Sequence, residues 1–343
     1  MKVFITGGAG FLGVYLCRRF LKDNYRVTIF DIADLDAKDL IGKVTVIKGD
    51  IRNAKAVFDA IKNHDFVVHA AAALPIQRTK KAIYSVNIDG TRNVLEASLQ
   101  HKVKRVVFIS TTAVYGVPKH LPEKEDAPIN PIGYYGESKV AAEKLCLSYE
   151  EKGLEVNILR PKSFLGPERL GVFELWFEAI YSSHRVFILG NGKNKYQLLS
   201  VSDVASAIEK ALTSKTHGEV FNIGAKIFQT WRKDLESVIK HEKSGSKVTG
   251  LPVLPSQIIL ALLEWLNLSP LSAWHYKTMP VPSYVSIEKA EKLLKWHPSK
   301  SNQELLLESY LWYKENRKKV MNKVGKTHRV GWNFKILNLI SRF

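Results

Sequence analysis

Along the first two hundred residues, apolar positions fall into short unbroken runs separated by longer stretches with apolar residues every three or four positions. The runs at Lys2–Thr6 (KVFIT), 27–30, 44–47, 66–69, 106–109 and 156–159 are rich in β-branched and aromatic residues and do not alternate with polar ones. Strands buried on both faces have this character. Between them, residues 11–21, 54–63, 91–101 and 138–151 carry helical spacing. Strict alternation of the two patterns predicts right-handed βαβ units and an α/β fold built on a doubly wound parallel sheet.

After about residue 160 the pattern becomes irregular. Gly166-Pro167, a helical run at 173–181, Gly190-Asn191-Gly192 and a proline-rich stretch at 252–282 predict a smaller C-terminal substrate-binding domain at the carboxyl edge of the sheet, where open α/β sheets bind ligands. The expected division is 1–165 for the sheet domain, with its sheet completed by parts of 185–225, then mainly 166–313 for the substrate-binding part, then a basic amphipathic tail at 314–343. No internal repeat is present. The apolar run 258–263 is bounded by Pro255 and Pro270 and followed by Glu264, well short of the ~20 apolar residues a bilayer span requires. It reads as a core or interface helix, or as one lying on a membrane surface. The last fifteen residues place Trp332, Phe334, Ile336, Leu337, Leu339 and Ile340 among Lys335 and Arg342, the pattern of a docking helix or a surface anchor.

Composition narrows the setting. The 343 residues are 45% apolar, enough for a sizeable core. The two cysteines, Cys17 and Cys146, both fall in helical runs, which argues for a reducing compartment rather than a disulfide framework. A strand beginning at residue 2 leaves no room for a targeting peptide, so a cytoplasmic location is expected. The formal charge is +18, and residues 314–329 contribute Lys314, Arg317, Lys318, Lys319, Lys323, Lys326 and Arg329. A solvated basic surface and peripheral contact with an acidic membrane surface both fit this density. No nucleic-acid module accompanies it, so no nucleic-acid partner is expected.

The first strand breaks into Gly7, Gly8, Gly10 and Gly13. Strand, glycine turn and helix in that order form the phosphate cradle of a Rossmann-type dinucleotide site. Gly7 permits the tight turn, Gly10 lets the backbone approach a pyrophosphate, and Gly13 allows close helix–strand packing. The helix N-terminus at Phe11, Leu12 and Gly13 offers free N–H groups to the anion. Asp31 ends the second strand 18 residues after Gly13. A carboxylate there accepts from ribose hydroxyls and repels a 2′-phosphate, which selects NAD over NADP. Asp50 and Ile51, after the third strand, suit an adenine, with the carboxylate on the amine and the apolar side chain on the ring. Tyr135 and Lys139 stand four apart, on one side of a helix. A phenol titrates near about 10, and a cation one turn away favours its ionised form, as proton exchange with a hydroxyl or carbonyl demands.

TGGAGFLG, Asp31, GDIR (49–52), HAAA (69–72), VNIDGTRNVLEA (86–97), STTAVYG (110–116) and YYGESK (134–139) resemble, in order and spacing over roughly residues 1–225, the extended short-chain dehydrogenase/reductases of the NAD-dependent epimerase/dehydratase family. The resemblance implies that Tyr135 is the catalytic acid/base. Lys139 would hold the nicotinamide ribose and lower the tyrosine pKa, and Thr111 would hydrogen-bond the reacting oxygen. It implies further that Asn87 lies near the nicotinamide, that Ala70, Ala71, Ala72 and Ser110 line the cofactor, and that Arg160, Pro161 and Ser163 sit beside the nicotinamide amide. It implies a small-molecule substrate and a homodimer through the helices at 91–101 and 138–151.

Departures from the family pattern shape the expected substrate. Thr112-Ala113 stand where dehydratases carry an Asp-Glu pair, so water elimination is not expected. Ser163 and Tyr196 stand where sugar-nucleotide enzymes usually place an Asn and an Arg on the diphosphate. RPKSFLGP (160–167) and GNGKNKYQLLSVSDVA (190–205) resemble the 3β-hydroxysteroid dehydrogenase-like branch. The expected activity is NAD-dependent interconversion of a secondary alcohol and a ketone on a hydrophobic substrate, with nucleotide-sugar 4-epimerisation as the alternative. Lys162, Lys193 and Lys195, as point charges, keep that alternative open.

Overall fold

The computed structural model describes residues 1–74, 79–266, 271 and 273–321. Seven strands form one parallel sheet: β1 (Lys2–Thr6), β2 (Arg26–Asp31), β3 (Thr45–Lys48), β4 (Phe66–His69), β5 (Arg105–Ile109), β6 (Val156–Pro161) and β10 (Val220–Ile223). Their order is β10-β6-β5-β4-β1-β2-β3. The chain builds outward from β1 to β3, then returns to the other side of β1, which puts the topological switch point between β1 and β4. Register runs from Val3 opposite Val27 on one side and opposite Phe66 on the other.

Both faces of the inner strands are covered, which is why they read as unbroken apolar runs; the edge strand β3 departs from that expectation, with Val46 46% exposed. Val3 and Ile5 point into one core with α1 (Phe11–Lys22) and α7 (Val201–Thr213). Phe4 points into the opposite core with α2 (Ala54–Ile61), α4 (Gly90–Gln100) and α5 (Gly133–Glu150). Each large apolar side chain so buried contributes roughly 1.5–3 kcal/mol. Cys17 and Cys146 are buried thiols in α1 and α5.

The segment 185–225 divides. Its last strand, β10, joins the main sheet beside β6, with Val220 opposite Ile158, and α7 lies on the sheet. Its first, β8 (Val186–Leu189), instead pairs with β11 (Val248–Leu251) in a separate two-stranded sheet. Two short strands, β7 (Phe164–Leu165) and β9 (Leu199–Ser200), make a third. Around β8 a third core gathers from α6 (Phe173–Tyr181), α8 (Trp231–Glu242) and α12 (Asn302–Met321). Its aromatic centre is Trp176, Trp231, Phe177, Tyr310 and Tyr313.

Helix α12 runs through Lys314 without a break, and residues 314–321 are its last two turns. Lys314 pairs with Glu242 and Arg317 holds Glu178 by two bonds of 2.7 Å. The remainder of the tail, 322–343, lies outside the described residues, as does Pro270. The apolar stretch 252–265 forms α9 (Val253–Trp265), none of whose residues is buried. The core alternative for that stretch therefore fails, and the helix is tied to the body through α10 (Ala273–Thr278) and through Val253 beside Gly190. No described helix is long and apolar enough to cross a membrane.

Candidate functional site

The glycine turn sits at the carboxyl end of β1. Gly7 has φ +71, and a Cβ there would lie 2.8 Å from the Ala71 backbone. The residue is thus fixed twice, by its dihedral and by the approach of the β4 loop. Gly10 is the N-cap of α1, and no side chain caps the helix. The first-turn N–H groups at Phe11, Leu12 and Gly13 are therefore available to an anion. Asp31 ends β2 with its carboxylate held by the Ala9 N–H (3.0 Å) and the Ala33 N–H (2.9 Å). These residues fit a dinucleotide: a bare backbone cradle and a fixed carboxylate beside it.

The loop after β4 is braced by a buried chain. Thr6 Oγ1 accepts from the Ala71 N–H (3.2 Å) and meets His69 Nδ1 at 2.7 Å, and His69 Nε2 meets Thr91 Oγ1 at 2.9 Å. Burial pulls the His69 imidazole down to about 3, with the Lys139 charge adding to it, so the ring is neutral. Asn87 lies in a π-helical turn, Ser85–Asp89. Its Oδ1 accepts from the Ala73 N–H (2.7 Å), and its Nδ2 donates to Ala73 O (3.0 Å) and to Ser138 Oγ (2.9 Å). Its amide is spent on tying the loop after Ala72 to helix α5, a positioning role.

Thr111 caps a short 3-10 turn, Thr112–Tyr115, by accepting from the Ala113 N–H at 3.1 Å. That turn packs tightly on the start of α5: a Cβ at Gly136 would lie 3.2 Å from Ala113 O and 2.8 Å from Pro131 Cβ. The close approach brings Thr111 within reach of Tyr135. Burial pushes the Tyr135 phenol up to about 12, against the opposing influence of the Thr111 hydroxyl and the Arg169 charge. Lys139 is buried, pulled down to about 8 by desolvation, and its Nζ donates to Ile109 O at 2.8 Å. The groups that favour the ionised phenol here are Thr111 and Arg169, whereas the spacing alone had pointed to Lys139.

Other expected cofactor residues are differently engaged. The Asp50 carboxylate is held by the Arg52 guanidinium (2.5–3.0 Å), and Ile51 is buried with Gly90 tight against it. Ser110 Oγ donates to Glu143. The Arg160 guanidinium is locked to Glu143 (2.6 and 3.0 Å) and to the Tyr115 hydroxyl (2.8 Å). It is a strut between β6 and α5, so only its backbone, with Pro161, faces the sheet edge. Burial pushes the Tyr196 phenol up, with Ser163 and Thr278 acting against it.

A family model described as the NAD dependent epimerase/dehydratase family matches residues 3–224. The chain belongs to this family. It is an NAD-dependent enzyme of the extended short-chain dehydrogenase/reductase type. An uncharacterised protein, y4nG, of Sinorhizobium fredii is 33% identical over 98% of this chain and 84% of its own length. A UDP-N-acetyl-alpha-D-glucosaminuronate decarboxylase of Bacillus cytotoxicus is 28% identical over 92% of this chain and 98% of its own. The fold matches the UDP-glucuronic acid 4-epimerase of Bacillus cereus, solved in complex with NAD, at TM-score 0.77 and 24% identity, covering 92% and 99% of the two chains.

Two family-site cations complete the picture. The sequence leaves Lys162 as either a point charge for a substrate anion or a solvated surface lysine. It is buried just after β6, donates to Ser283 Oγ at 2.6 Å and lies 5.2 Å from the Tyr196 ring centre. Desolvation pulls it down to about 8, while nearby Glu123 is pushed up to about 7 by its own burial. Arg169 was missed altogether. It follows Gly166-Pro167 in a turn that no periodicity marks. Its guanidinium lies 5.7 Å over the Phe11 ring, within electrostatic reach of Tyr135.

Proposed function

We propose that the chain oxidises, or oxidises and re-reduces, a secondary alcohol on a substrate that carries an anion beside the reacting carbon, as a nucleotide-linked uronic acid does. Arg169 carries the choice. A planar guanidinium over the Phe11 ring and within electrostatic reach of Tyr135 suits a bidentate carboxylate, with Glu174 supplying part of its charge balance before a substrate arrives. The decarboxylase named above acts on a nucleotide-linked uronate, which supports the same substrate class. NAD supplies the hydride acceptor and donor when bound.

The chain's own residues carry the proton. Thr111 Oγ1 hydrogen-bonds the reacting oxygen and Tyr135 Oη takes or returns the proton. With an anionic substrate on Arg169, the Lys139 ammonium becomes the cation that eases ionisation of the phenol. Asp31 and the glycine turn at Gly7, Gly10 and Gly13 hold NAD by its ribose and pyrophosphate.

A second reading, a hydrophobic alcohol or ketone, rests on Ser163 and Tyr196, which stand where sugar-nucleotide enzymes usually place diphosphate ligands. One experiment separates the two. Purified enzyme is incubated with UDP-uronic acids, neutral UDP- and dTDP-sugars, and sterol-like or long-chain ketones, while NADH, carbon dioxide and epimer are followed. Turnover of uronates at least tenfold above the neutral sugars supports the first reading. Turnover confined to the hydrophobic substrates overturns it.

A further inference from the structure

Helix α9 is apolar on its outward face as well as at Val253, Leu260 and Leu263, which are half-buried against the body. Its outward face carries Leu254, Ile258, Ile259, Leu262, Trp265 and Leu266, each 46–77% exposed. Its polar side chains turn toward the body: Gln257 Nε2 donates to Tyr276 O at 2.9 Å, and Glu264 accepts from the Tyr276 hydroxyl at 2.8 Å and from the Ala273 N–H at 3.3 Å. Soluble proteins rarely leave so many contiguous large apolar side chains in water.

Charge identifies the occupant. From residue 243 to 287 the sequence has Lys243, Lys247, His275 and Lys277 against one acid, the inward-facing Glu264. Residues 322–343 have five Lys or Arg and no Asp or Glu. A second copy of a chain at +18 is repelled at long range, whereas a negatively charged bilayer attracts it. At 13 residues, α9 cannot span, but it has the length and the aromatic end residue of a helix lying in the interface.

We propose that α9 is a peripheral docking surface for an anionic lipid bilayer, the apolar face entering the interface while the surrounding basic residues meet the headgroups. This inference does not depend on the substrate. The test is flotation of the full chain with vesicles of phosphatidylcholine alone or with about a third phosphatidylserine. The wild type is compared with a variant carrying Ile258→Glu and Leu262→Glu. Both sites are exposed, and retained NAD binding and thermal midpoint report that the variant is folded. The expected result is binding to the anionic vesicles only, weakened by added salt and at least tenfold by the double substitution. A second readout needs no variant: brominated lipid quenches tryptophan fluorescence, and Trp265→Phe removes a measurable part of that quenching. Absence of binding to anionic vesicles overturns the proposal, as does binding that the double variant leaves unchanged. A wild-type dimer that the double variant converts to monomer, without vesicle binding, assigns the face to a second copy instead.

Discussion

The parallel-sheet part of this molecule and the part that follows β6 are held together in different ways. Around the glycine turn, contacts join pieces of chain whose sequence patterns already place them side by side. Examples are Ala9 with Asp31 across β1 and β2, and Thr6 with His69 across β1 and β4. In the other part, partners come from segments with no pattern linking them: Lys162 with Ser283, Tyr313 and Arg317 with Glu178, Gln257 with Tyr276. A repeated fold fixes the first set of contacts, and tertiary packing particular to this chain fixes the second. On the proposed reading, the cofactor chemistry therefore sits in the first set of contacts, and the groups that would select a substrate or a surface sit in the second.

The largest effect expected tests the parallel-sheet part. Tyr135→Phe removes the proton-exchanging hydroxyl and leaves the cradle intact. Turnover falls by about 10²–10⁴, while NAD binding measured by calorimetry changes less than threefold. A variant that keeps half its turnover breaks the assignment.

The next tests whether the parallel-sheet part owes its rigidity to buried polar struts. Arg160 and Glu143 are 6% and 7% exposed and locked by two bonds. Arg160→Met strands the carboxylate with Ser110 alone, at a cost of about 3–5 kcal/mol in urea unfolding. Adding Glu143→Leu restores most of that loss, because replacing both partners removes the unpaired charge. If the double variant is no more stable than the single, the pair is not the strut described here.

Much of the contrast was legible in the sequence beforehand. Continuous runs such as Val3–Ile5 announced strands covered on both faces, and Gly7 announced a turn that only glycine closes. The positions of Tyr135 on α5 and of Thr111 beside the short turn after β5 were legible, Tyr135 from its spacing to Lys139 and Thr111 from the family resemblance. Arg169 was not, because its importance comes from a fold-back over Phe11 that leaves no period in the chain. Arg160 was misleading for a related reason: the motif gave its position at the end of β6, but the direction of its guanidinium depends on Glu143, one strand and one helix away. The run in α9 announced a helix, yet which way it faces is set by Tyr276 on a different helix.

A smaller effect sharpens the part that follows β6. Arg169→Ala raises KM for an anionic substrate about 10- to 100-fold, the loss of one or two charge-assisted bonds. Arg169→Lys recovers part of it, since a point charge lacks the fork. NAD affinity stays within about threefold. An equal loss of NAD affinity and substrate affinity would move Arg169 from the substrate to the cofactor.

The smallest effect returns to Asp31 and asks whether its charge or its hydrogen bonding sets cofactor choice. Its two oxygens accept from Ala9 and Ala33 N–H groups, so the side chain is held in one place before any ligand arrives. The next residue, Ile32, is exposed and offers no cation to a 2′-phosphate. Asp31→Asn keeps an acceptor for one of those N–H groups and removes the charge, separating the two contributions in a way that alanine cannot. Repulsion between a carboxylate and a phosphate at the surface is screened by salt, so the shift is modest. The ratio of NADP to NAD dissociation constants should fall about tenfold, about 1.4 kcal/mol, and by less at high salt. A salt-independent change would point to lost hydrogen bonding, and an unchanged ratio would remove Asp31 from cofactor selection altogether.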